Sequence, residues 1–141
     1  MKIQIKNRFT DEIIIEGEYN NLREAVEKSK SNLSKADLYK ADLSEANLYK
    51  ANLSEADLSE ANLSEANLSK ADLYKANLYK ADLSEANLYK ANLYKADLYK
   101  ANLHKANLSE ADLSEANLYK AIIKITQRDE IIKALKIEII E

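Results

Sequence analysis

The sequence predicts an all-β solenoid, and three observations carry that prediction. From Ser31 to Lys120 the chain is eighteen unbroken five-residue phrases, each with Leu in the third place and Asp or Asn in the second, and all but the first begin with Ala. A period of five suits neither regular element: on an α-helix it turns successive leucines by about 140° around the cylinder, and on a straight strand it sends Leu33 and Leu38 to opposite faces. The two variable places of each phrase draw only on Ser, Tyr, His, Lys and Glu, residues that tolerate water. A chain that turns a corner once per phrase satisfies all three. Ala and Leu, two apart on a short extended stretch, then point inward together, the Asp or Asn between them points outward, and the variable pair forms the corner.

Energetics explain why the phrase recurs. Four buried leucines recover less free energy than fixing the backbone of one coil costs, so a lone coil does not fold. Stacking coils at the inter-strand spacing of about 4.8 Å adds ladder hydrogen bonds and covers each flat end with the next. Order is collective, and both ends need lids.

The flanks read as those lids and complete a single domain. Within 1–30, "KIQIK" and "DEIIIEGEY" are predicted to pair as a hairpin around "NRFTD", with Ile3, Ile5, Ile13 and Ile15 on the buried face. In "NLREAVEKSK", Leu22, Ala25 and Val26 fall at helical spacing, and Asn21 with Glu24 forms a capping-box signature, so a short helix is predicted to cover the first coil. The array occupies 31–125. In 126–141, "TQRDEIIKALK" starts with Thr126 and Asp129 as a comparable cap and places Ile131, Ile132 and Leu135 on one face, while "IEIIE" extends the helix or forms a strand.

Composition narrows the chemistry. The chain has no cysteine, so disulfides and thiolate metal sites are excluded. The net charge of −3 is not the footprint of a nucleic-acid binder. The first residues lack a signal-peptide core and no apolar run is long enough for a membrane span, which leads to the expectation of a cytoplasmic protein without a membrane role. His104 is the one histidine, and although Ser109 and Asp97 stand near it in sequence, a solenoid face without inserted loops supplies no pocket for a triad. Gly17 is the one glycine, so no phosphate-cradling loop exists. No catalytic residue, cofactor or metal is expected.

The "A(D/N)LxX" phrase resembles the pentapeptide-repeat protein family over about two thirds of the chain. The resemblance implies a right-handed quadrilateral β-helix with four phrases per coil. Many members place Gly in the second variable position, but this array has none. A type II corner wants positive φ there, which Lys and Glu resist, so mostly type I-like corners are expected.

On the family's twenty-residue coil the variable letters sort into columns. One reads Tyr39, Ser59, Tyr79, Tyr99, Tyr119, followed by Lys40, Glu60, Lys80, Lys100, Lys120; another carries Glu45, Glu65, Glu85 and Lys105, and its neighbour Lys50, Lys70, Lys90 and Glu110. Every repeat tyrosine precedes a lysine, which reads first as duplication of short units and a solvated surface with stacked rings. The sharper reading is a basic aromatic stripe, Tyr79, Tyr99 and Tyr119 beside Lys80, Lys100 and Lys120, that stacks single-stranded nucleic acid. Interleaved Asp opposes it. Asn47, Asn67, Asn87 and Asn107 share a column, where amide ladders or corner hydrogen bonds account for them.

These readings point to a non-catalytic structural or protein-binding module with an unidentified protein partner. The alternative implied by the resemblance is a DNA-mimicking modulator of a type II topoisomerase such as gyrase. Mimicry asks for a strongly negative rod, whereas the array holds 11 Lys against 7 Glu and 7 Asp. Some family members dimerise through their C-terminal ends, which would use Ile137, Ile139 and Ile140; the monomer is preferred over that end-to-end homodimer.

Overall fold

The computed structural model describes residues 1–123 and 128–135. Within the array, parallel bridges join each second-place residue to the one twenty later, from Asp37 with Asp57 to Asn102 with Ile122. Four phrases therefore make one coil. Every array leucine from Leu33 to Leu113 is 0–2% exposed and every alanine from Ala36 to Ala111 is 0–6% exposed, so the core is a stack of Leu and Ala layers.

The backbone hydrogen bonds of one phrase show why each place is restricted. The second-place N–H donates back to an Ala carbonyl (Asp57 to Ala36, 2.8 Å), and the Leu N–H donates forward to the next coil (Leu58 to Asn77, 2.8 Å). The Ala N–H closes the corner on the preceding Leu (Ala61 to Leu58, 3.1 Å). The fourth-place N–H would be an orphan, and the Asp or Asn side chain accepts it: Ser59 N–H donates to Asp57 Oδ1 at 2.9 Å, and Tyr79 N–H to Asn77 Oδ1 at 3.1 Å. Asp and Asn are required there because a short side-chain oxygen reaches two residues on. Their outward direction alone does not explain them.

The corners correct the type I expectation. All eighteen corner lysines and glutamates have positive φ, from 52° at Lys75 to 61° at Lys35, as in a type II turn. The middle peptide decides this. Its N–H donates to the next coil, Lys40 to the Ser59 carbonyl at 3.0 Å and Glu60 to that of Tyr79 at 2.8 Å. A type I corner turns that peptide over and breaks the ladder, so the bond offsets a left-handed strain of about 1 to 2 kcal/mol per residue. Replacing Glu65 with Val, whose branched side chain tolerates φ of 58° poorly, is expected to lower stability by about 1 kcal/mol, while Glu65→Asn changes it by less than about 0.5 kcal/mol; urea unfolding of both variants checks this.

The hairpin is present as β1 (Lys2–Lys6) against β2 (Ile13–Glu18). Ile5 and Ile15 are buried and Ile3 packs on the core, but Ile13 is 46% exposed. A bulge is the cause. Ile5 pairs with Ile15, yet Lys6 pairs with Ile13, leaving Ile14 as the extra residue and turning Ile13 to the solvent side with Lys6. The hairpin joins the first coil through Asn7 bridging Ala36, and Arg8 donates to the Glu55 and Ala56 carbonyls, both at 3.2 Å.

The short helix is α1 (Leu22–Lys28), burying Ala25 and Val26. Asn21 Oδ1 accepts the Glu24 N–H at 2.8 Å, and the Glu24 carboxylate reaches back to the N–H of Asn20 at 2.6 Å, one residue beyond the predicted box. A 3₁₀ turn (Lys30–Asn32) leads into the array. At the far end α2 (Arg128–Ala134) buries Ile131 and Ala134, with Leu135 packed against the core, and the Ala134 carbonyl accepts Leu113 N–H at 2.8 Å. Thr126, proposed as its cap, lies outside the described residues.

Candidate interaction surface

Among the described residues no group of three or more His, Cys, Asp or Glu is placed to hold a metal ion. His104 sits exposed on a corner, its N–H on Asn102 Oδ1 at 3.1 Å. Asp97 accepts from Tyr99 N–H and Asn117 Nδ2, and Ser109 Oγ donates to Asn107, so the three residues of the hypothetical triad serve separate corners. An open cleft of about 580 Å³ lies between α1 and the first coil, lined by Asn21, Arg23, Tyr39, Lys40 and Asp42 among others. Arg23 is tied to Ser44 Oγ there, at 3.1 Å.

The stripe expected from the columns is assembled. Tyr79 and Tyr99 stack at 5.7 Å with planes 1° apart, and Tyr99 meets Tyr119 at 5.6 Å and 32°. Lys80, Lys100 and Lys120 place Nζ at 5.0, 5.1 and 5.3 Å from their own tyrosine rings. The stacking interactions thus lie within the column.

A second row escaped the sequence reading. Tyr74 and Tyr94 stack at 5.8 Å on the preceding corner, with Lys75 and Lys95 over their rings at 5.0 and 4.9 Å. The Tyr94 hydroxyl donates to Glu115 Oε1 at 2.8 Å. Writing out every column at a step of twenty, including Ser34, Ser54, Tyr74, Tyr94 and Ser114, exposes this row. Between the rows runs the second-place column, where Asn77 Nδ2 donates to Asp57 at 3.1 Å and Asn117 Nδ2 to Asp97 at 2.9 Å. The Asn47 column forms a ladder in part, with Asn107 Nδ2 on Asn87 Oδ1 at 3.3 Å.

Surface ion pairs cross from coil to coil. Glu60 lies between Lys40 (3.5 Å) and Lys80 (4.0 Å), and Lys90, Lys95 and Lys105 pair with Glu110, Glu115 and Glu85. Such exposed pairs add little each. The Ser44 hydroxyl holds Asp42 below the usual carboxylate range, and the Tyr94 hydroxyl does the same for Glu115. A depressed carboxylate contributes stability above its unfolded value near about 4, lost as pH falls through the lower folded value. Melting temperature is therefore expected to drop on acidification below about pH 4, and Asp42→Asn is expected to flatten that decline.

The pentapeptide-repeats family model matches residues 29–54, 51–88 and 86–124 in eight copies. The chain belongs to the pentapeptide-repeat family. Solved structures of similar proteins include the pentapeptide repeat protein Rfr23 from the cyanobacterium Cyanothece 51142, at 43% identity and a TM-score of 0.64 over 65% of this chain and 63% of that one. This chain thus matches less than two thirds of Rfr23's length. A pentapeptide repeat protein from the Arabidopsis thaliana thylakoid lumen matches at 29% identity and a TM-score of 0.59, over 70% of this chain and 75% of that one. One from Nostoc matches at 36% identity and a TM-score of 0.55, over 60% and 86%. Comparison with curated proteins finds no match. As a pentapeptide-repeat protein, the chain winds as a right-handed β-helix solenoid. No helix among the described residues is long and apolar enough to cross a membrane.

Proposed function

We propose that this pentapeptide-repeat protein is a non-catalytic, cytoplasmic module that binds a partner protein through its corners, closed by lids at 1–30 and 126–141. The observation that supports it is the pair of parallel tyrosine–lysine rows on adjacent corners, held in place by a ladder-bonded backbone. Tyrosine supplies rigid, amphipathic contact area and is enriched in protein interfaces. Affinity capture with the immobilised protein tests this reading. A partner retained by the wild type and lost with Tyr79→Ser plus Tyr99→Ser supports it, Ser being the residue that other phrases carry in that place; a chain that retains nothing contradicts it.

The gyrase reading asks for a single-sign negative rod, and each of the five tyrosines of the rows above is followed by a lysine: Lys75, Lys80, Lys95, Lys100 and Lys120. No inhibition is expected in a gyrase supercoiling assay at micromolar protein. The end-to-end dimer through Ile137, Ile139 and Ile140 falls outside the described residues; the monomer is proposed, and light scattering on a sizing column tests it.

A further inference from the structure

We propose that the paired rows, Tyr74 and Tyr94 on one corner and Tyr79, Tyr99 and Tyr119 on the next, bind an extended acidic segment of a partner protein along the solenoid axis. This deepens the protein-binding reading by naming the chemistry of its partner.

Charge falls in blocks along these two corners. The first coil carries Lys35 and Lys40, the second Glu55 and Glu60, the third and fourth Lys75, Lys80, Lys95 and Lys100, and the fifth Glu115 and Lys120, so the four central lysines are flanked by glutamate at both ends. Lys80 is shared with Glu60 at 4.0 Å and Lys95 with Glu115 at 3.4 Å. Lys75 and Lys100 have no carboxylate partner among the described residues and hold their ammonium groups over Tyr74 and Tyr99. The patch thus offers cations that incoming carboxylates neutralise without first breaking an ion pair. The glutamates at its second-coil end complete the complementarity: they disfavour carboxylates there, which sets where an acidic segment stops.

The same geometry favours a peptide over a nucleic-acid strand. Base stacking needs a free ring face, and these rings stack on one another and carry lysine ammonium groups. Between the rows stands Asp97, with Asn77 and Asn117 on the coils to either side and Asp57 at the second-coil end. A phosphodiester carries a charge at every unit and meets these carboxylates with repulsion alone. A polypeptide brings backbone N–H donors to Asp97 while its acidic side chains reach the flanking lysines.

The test uses the full chain and a fluorescein-labelled peptide of alternating Glu and Ser, about five residues long to cover the three coils of the rows at about 4.8 Å per coil, followed by fluorescence anisotropy at low salt. The peptide is expected to bind. Lys75→Glu plus Lys100→Glu is expected to weaken it about tenfold or more, and Tyr79→Ser plus Tyr99→Ser to weaken it measurably. Lys50→Glu plus Lys70→Glu makes the same charge change on the corner opposite the Tyr79 row, at lysines that sit over Tyr49 and likewise lack a carboxylate partner among the described residues; that pair is expected to leave binding near the wild-type value. Unchanged melting curves establish that each variant folds. Equal losses from the two lysine pairs, no binding by the wild type, or tighter binding of an oligothymidine of matched charge would overturn the proposal. A captured partner whose binding survives Lys75→Glu plus Lys100→Glu would leave the protein-binding reading standing and remove the acidic segment.

Discussion

Leu83→Lys is expected to abolish cooperative folding, whereas Ser84→Tyr, one residue on, is expected to change stability by less than about 1 kcal/mol. Leu83 is 0% exposed, with Leu layers above and below it, so an ammonium there has neither water nor a counter-ion. Because each coil is stabilised by its neighbours, a disrupted layer in mid-array removes support on both sides. Ser84 stands on a corner where other phrases carry Tyr, and its backbone N–H keeps its bond to Asp82 Oδ1. Circular dichroism melts decide it: equal shifts for the two variants contradict the assignment of inside and outside.

Asn67→Leu is expected to cost about 1 to 3 kcal/mol, and Asn67→Asp under about 1 kcal/mol. Asn67 Oδ1 accepts both the N–H of Ser69, at 3.1 Å, and its hydroxyl, at 2.6 Å, and Ser69 is only 7% exposed. Leucine leaves two enclosed donors without an acceptor. Aspartate keeps both. Urea midpoints at constant m-value measure the difference; a leucine variant as stable as the wild type would show that the corner does not depend on the side-chain acceptor.

The inside of this protein was legible because its signal is repeated. Leu and Ala two apart, with water-tolerant residues at the corner, leave one consistent path, and the buried columns follow it. The corner conformation was not legible, because local preference and collective bonding disagree there. Lys and Glu resist positive φ one residue at a time, but the ladder of N–H groups running from Lys40 to Lys100 sets the peptide orientation for the whole stack. The role of Asp and Asn was half legible: an outward polar residue explains solubility, while the restriction to these two types needs the orphan N–H two residues on. Ile13 was misplaced because a bulge carries no period and nothing in "DEIIIEGEY" marks which Ile is extra. The tyrosine rows lay in plain sight at a step of twenty. The Tyr74 and Tyr94 row is the less conspicuous of the two because Ser34, Ser54 and Ser114 fill the rest of its column.

The coil of twenty residues underlies both the core and the proposed surface, and the absence of native cysteine allows a direct test of it. Two double variants suffice, Tyr79→Cys with Tyr99→Cys and Tyr79→Cys with Tyr89→Cys, followed by oxidation and mass measurement of the intramolecular disulfide. In-register neighbours about 4.8 Å apart lie within disulfide reach, whereas opposite corners of one coil are separated by the core. The 79–99 pair is expected to close readily and the 79–89 pair to remain reduced. Closure of the 79–89 pair at the same rate would contradict the solenoid register and the surface built on it.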